Sequence, residues 1–162
     1  MRKLKIADPA RFLLREAFKQ DVEYELHPQS FYLDLSTGRV TFVYESDEDA
    51  SFEMGISPEK NQEERLLVES DPDRFLLIPG LSHADHHVIL LDFLSSDRMH
   101  DEESGTRAED AYSGSIGRWK KTIRQAYDEE TEYAYYNYRD ERIDEMINEF
   151  LRQNGIEPEY LD

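Results

Sequence analysis

Residues 132–156 read EYAYYNYRDERIDEMINEFLRQNGI, and the reading of this stretch decides the fold class. Tyr135, Tyr136, Ile143, Met146, Ile147, Phe150 and Leu151 recur at spacings of three and four, the period of one helical face. The spacing predicts a long, half-buried helix over 132–153, with Thr131 placed to cap its first turn. Three signals mark its end. Gly155 suits the left-handed position after the last turn, Ile156 can fold back onto it, and Pro158 stops continuation.

Projected at about 100° per residue, Arg139 falls near the middle of the apolar stripe, away from Arg142, Glu145 and Glu149 on the solvated side. A guanidinium keeps its charge inside proteins, so burying it demands a partner. The ordinary reading is a structural ion pair with Asp34 or Asp92. The sharper one is an arginine held to receive an anionic ligand or a partner's carboxylate.

Just upstream, Ser115 can cap a shorter helix on which Ile116, Trp119, Ile123, Ala126 and Tyr127 share a face. Arg118, Lys120, Lys121 and Arg124 flank that face and form the one dense basic cluster. Trp119 among cations is the residue pattern of base stacking and phosphate pairing. Its place in the apolar stripe favours core packing instead. The tyrosines from Tyr133 to Tyr138 read equally as core or as an aromatic anchor beside an arginine.

A formal charge of −18 on 162 residues, with 37 Asp and Glu against 19 Lys and Arg, disfavours non-specific contact with nucleic acid or an anionic membrane. It fits either a solubility device or an acidic face for a basic partner. With no cysteine, disulfides and thiolate chemistry are excluded, which agrees with a reducing compartment. Residues 1–8 lead into no apolar signal region, and no stretch has the length of a membrane span, so a soluble, cytoplasmic protein is expected. The length fits one domain over 1–162.

Along the chain, Asp8-Pro9 predicts a helix start, with Phe12, Leu13, Ala17 and Phe18 lining its core face. Residues 31–35 and 39–44 are β-prone runs around Ser36-Thr37-Gly38, a hairpin with Gly38 in the left-handed position. Residues 45–56 read as an acidic loop; Ser57-Pro58 opens a helix carrying Leu66, Leu67 and Val68. Residues 75–78, bounded by Pro72 and Pro79, are the expected third strand. Ser82 and Asp85 resemble a capping box for the next helix, whose first turn carries His83, His86 and His87. His83 and His87, at i and i+4, are metal candidates by zincin spacing, although Ala84 stands where a zincin has glutamate. Residues 97–110 read as a mobile loop. No phosphate loop, nucleophile elbow or kinase signature is present.

Five stretches carry a resemblance. Tyr32 to Val40 (YLDLSTGRV) is similar to "YLDLETGEV", Asp71 to Pro79 (DPDRFLLIP) to "DPDRYLxIP", and Gly114 to Lys120 (GSIGRWK) to "GAFRRFK". Tyr135 to Glu141 (YYNYRDE) is similar to "WYxFRDE", and Phe150 to Ile156 to "WLxxNGI". In order and spacing these resemble the bacterial family known as Uncharacterised Protein Family 0158. This chain departs from it with Gly117 for an arginine, Lys121 for an acid and Tyr112 for a glycine. The resemblance implies no reaction, but it directs attention to Arg118, Lys120 and Arg139.

The expectation is therefore an α+β domain, mainly helical, with a small antiparallel sheet. It is expected to act as a non-catalytic module binding a protein through an acidic face or the tyrosine-rich surface. The alternatives are a small metal- or carboxylate-dependent hydrolase and a nucleic-acid mimic. Candidates for an anion or partner are Arg139, Arg118, Lys120, Trp119, Tyr135 and Tyr138. No catalytic residue is nominated and no cofactor is expected.

Overall fold

The computed structural model describes residues 1–20, 29–96, 114–126 and 129–162. The expected mobile loop at 97–110 lies outside them. The fold is α+β and mainly helical, and the chain divides into two compact units: Met1–Leu81 with Met146–Asp162, and Ser82–Glu145.

In the first unit the order is β1 (Arg2–Ala7), α1 (Asp8–Lys19), β2 (Gln29–Asp34), β3 (Val40–Tyr44), α2 (Asp47–Met54), α3 (Pro58–Ser70) and β4 (Phe75–Ile78). The expected hairpin forms, with Phe31 opposite Phe42 and Leu33 opposite Val40. The run between the prolines pairs on the other side of β2, giving a three-stranded antiparallel sheet of order β3-β2-β4. Leu33, at the centre of β2, is fully buried, as are Ile6 on β1 and Leu14 on α1. Each such side chain contributes roughly 1.5–3 kcal/mol relative to exposure, so this core outweighs the surface ion pairs around it.

Asn61, only 2% exposed, finishes the outer edge of β3 in place of another strand. Its Oδ1 accepts from the Tyr44 N–H at 3.0 Å, and its Nδ2 donates to the Tyr44 carbonyl at 3.1 Å and to Asp47 Oδ1 at 2.8 Å. Arg65 donates to the same carbonyl and the same carboxylate, at 3.1 and 2.8 Å. A strand edge that would otherwise present bare peptide groups is thus capped by side chains of α3.

Two expectations are corrected here, and a strand appears that the sequence did not announce. Residues 45–56 are not a loop, because α2 occupies Asp47–Met54. Ser46 Oγ accepts from the Asp49 N–H, the three acids of the first turn favour a helix N-terminus, and Gly55 closes the helix at φ 64°. The N-cap of α1 is Ala7 rather than Asp8, and it offers no side-chain acceptor. Pro158 does more than end a helix: it lies in β5 (Ile156–Leu161), which pairs in parallel with β1 from Arg2↔Ile156 to Ala7↔Leu161. Tyr160 fastens β5, donating its hydroxyl to Asn148 Oδ1 at 2.5 Å while the Arg11 guanidinium lies 4.5 Å above its ring.

The second unit contains α4 (His83–Leu94), α5 (Ile116–Ala126) and the greater part of α6 (Glu129–Gln153). Ser82 and Asp85 form the expected capping box on α4. Ser115 Oγ accepts from the Arg118 N–H at 3.3 Å at the start of α5. The long helix α6 begins at Glu129, ahead of the expected start, so Thr131 is a buried residue of its first turns and not a cap. It ends as expected, with Gly155 at φ 74° and Ile156 buried.

Candidate functional site

Most of the residues singled out in the sequence meet in the second unit. Trp119 from α5 and Tyr135 from α6 are fully buried with Leu90, Phe93 and Leu94 of α4. The Trp119 and Tyr135 rings meet edge to face at 5.2 Å, and Phe93 stands 5.6 Å from Tyr135 and 5.6 Å from Tyr138. Burial pushes the Tyr135 phenol above its ordinary pKa, and the nearby Arg139 charge pulls it back only in part. Trp119, Tyr135 and Tyr138 are therefore packing residues of an aromatic core. Of the tyrosines from Tyr133 to Tyr138, Tyr133 is the one openly exposed.

The two cations lie against this core. The Arg139 guanidinium sits 4.9 Å from the Tyr136 ring centre and 5.9 Å from that of Tyr135. Lys120 Nζ lies 5.0 and 5.7 Å from the same two rings. Tyr136 in turn donates its hydroxyl to Glu132 at 2.9 Å, which draws negative charge towards the ring. Arg118 stands apart, exposed on the first turn of α5.

The carboxylates proposed for Arg139 are engaged elsewhere. Asp34 is held by Arg74, and Asp92 lies 3.6 Å from Arg142. The carboxylate beside Arg139 is that of its neighbour Asp140, at a long 3.8 Å from Nε. Adjacent residues on a helix diverge, so this is a poor ion pair. With its side chain 19% exposed, Arg139 is balanced largely by aromatic faces. Arg139→Leu is accordingly expected to change the unfolding free energy by no more than about 1 kcal/mol, because leucine restores the apolar stripe as the cation–π contact is lost. A thermal melt checks this. A much larger loss would mean that a strong ion pair had been broken.

His83 and His87 are brought together, with Nε2 atoms 2.8 Å apart and rings crossed at 69°. At that separation one imidazole donates to the other. Among the described residues no group of three or more His, Cys, Asp or Glu is placed to hold a metal ion.

Two features of the first unit escaped the sequence reading. Asp34, 6% exposed, accepts from Arg74 Nε at 3.0 Å and Nη2 at 2.8 Å, and from the N–H and hydroxyl of Ser36 at 2.9 and 2.7 Å. Arg74 foremost holds this carboxyl far below the usual carboxylate range. The ion pair fastens the YLDLSTGRV stretch to DPDRFLLIP, so two of the stretches that carried the resemblance interlock.

The other feature is an open groove of about 450 Å³ where β1, the start of α1, the hairpin turn and the end of β5 meet. Pro9, Ala10, Leu13, Val40 and Leu161 give it apolar walls, and its charged lining residues are Lys5 and Arg39. Three stretches distant in sequence build it, so no local motif announces it.

The model of Uncharacterised protein family (UPF0158) matches residues 10–161, nearly the whole chain. The chain belongs to this family. Comparison with curated proteins and with solved structures gives no match. Within this UPF0158 chain Asp34 and Arg74 interlock two strands and Arg139 rests on aromatic rings, whereas the groove is an open concavity lined by apolar side chains and two cations. No described helix is long and apolar enough to cross a membrane.

Proposed function

We propose that this UPF0158 chain is a cytoplasmic, non-catalytic protein-binding module that holds a basic, amphipathic segment of its partner on the outward face of α3. The supporting observation is the composition of that face. Opposite the buried Asn61 and Val68, Glu59, Glu63 and Leu66 follow one another along a single stripe with Leu67 beside it. Leu66 is 63% exposed and Leu67 41%. Two adjacent leucines left in water amid acids suit a partner helix carrying apolar residues on one side and lysine or arginine around them. The charge of −18 adds long-range attraction for such a segment.

Affinity capture from the native host tests the reading, with wild type compared against Leu66→Ser/Leu67→Ser and Glu59→Lys/Glu63→Lys. All four positions are exposed, so both variants should melt close to wild type. Each is expected to lose the captured protein by about tenfold or more, the charge variant most strongly at low salt. A protein retained equally by both variants would place the contact elsewhere.

A further inference from the structure

We propose that the groove between β1, α1 and the hairpin turn is a binding site for a small monocarboxylate with a branched or aromatic body. This site is separate from the α3 face. Its volume of about 450 Å³ is that of small-molecule sites, which are mostly apolar with a few placed polar groups. Pro9, Ala10, Leu13, Val40 and Leu161 supply walls for an apolar body, and Lys5 and Arg39 supply the polar groups.

The charge pattern selects the head group. In a chain with 37 acids, the charged side chains lining the groove are both cations. Among the described residues, neither is engaged by a carboxylate. Glu159 stands beside Lys5 in the β1–β5 register and lowers the net positive charge of the rim, which matches a monoanion better than a phosphate. The N-cap Ala7 offers no side-chain acceptor, so the positive end of α1 adds to the same potential. A carboxylate at the cationic rim then leaves its hydrocarbon portion against the proline, alanine and leucine walls.

The probes are 3-phenylpropanoate and 4-methylpentanoate, titrated into the full chain by calorimetry and followed by amide chemical shifts. Three comparisons accompany them: 3-phenylpropanamide, which keeps the body and loses the charge; acetate, which keeps only the head; and a Lys5→Gln/Arg39→Gln variant. Lys5 and Arg39 are exposed, so the variant should fold as wild type does, and a thermal melt verifies this. The acids are expected to bind with shifts centred on residues 5–13 and 37–40. The amide, acetate and the variant should each bind about tenfold more weakly or worse. Equal binding of acid and amide, undiminished binding by the variant, shifts centred elsewhere, or no binding of either acid at about 10 mM would each overturn the proposal.

Discussion

Gly38→Ala is expected to destabilise the first unit by about 3 kcal/mol, which lowers the melting midpoint by roughly 6–12 °C for a chain of this size. Two costs combine. Gly38 has φ 73°, in the left-handed region where a Cβ is strained by about 1–2 kcal/mol. A methyl group there would also run into the backbone carbonyl of Lys5, coming within 3.0 Å of its carbon and closer still to its oxygen. Backbone on both sides leaves no side-chain end to swing aside, so the hairpin turn and β1 must separate. Gly55 is the internal control, since it has φ 64° but nothing within 4 Å of the place a methyl would take. Gly55→Ala should cost only the backbone strain, about 1 kcal/mol. Equal losses at the two positions would show that the close approach of the turn to β1 carries no weight.

Asp34→Ala is expected to cost about 2–3 kcal/mol. It leaves the Arg74 guanidinium and two Ser36 donors without their acceptor, and solvent access to Arg74 keeps the loss below that of a sealed ion pair. The acid dependence of this contribution has a definite sign. The native carboxyl titrates below its ordinary value, so the unfolded chain takes up the proton first. The stabilisation is complete above about pH 4 and is lost as pH falls further, towards the native value. Denaturant unfolding of wild type and Asp34→Asn, measured from pH 7 down to pH 2.5, should show a gap that is constant to about pH 4 and then narrows. A gap that stays constant to the lowest pH would mean that Asp34 is not held as a carboxylate by Arg74.

Sequence patterns disclosed several elements whose signal is local. The β-prone runs on either side of Ser36-Thr37-Gly38 marked the hairpin, the flanking prolines marked β4, and Asn154-Gly155-Ile156 marked the end of α6. The dense acids of α2 were read as a loop, yet their position just after Ser46 is what favours a helix start. The β1 and β5 pair had no local signal, since neither short, charged strand identifies the other. Helical projection placed Arg139 on the inward face of α6. It could not supply the partner, which depends on how the Tyr135 and Tyr136 rings are turned. The groove lay beyond reach for the same reason.

The parallel pairing of residues 2–7 with 156–161 has a consequence for synthesis. Chains emerge from the ribosome N-terminus first, at about 5–20 residues per second. The first strand is thus extruded on the order of ten seconds before its hydrogen-bonding mate exists, with Leu4 and Ile6 lacking their final cover. During that interval the nascent segment is open to premature pairing and to chaperone capture, and the native assembly around it closes only once residues 156–161 have emerged.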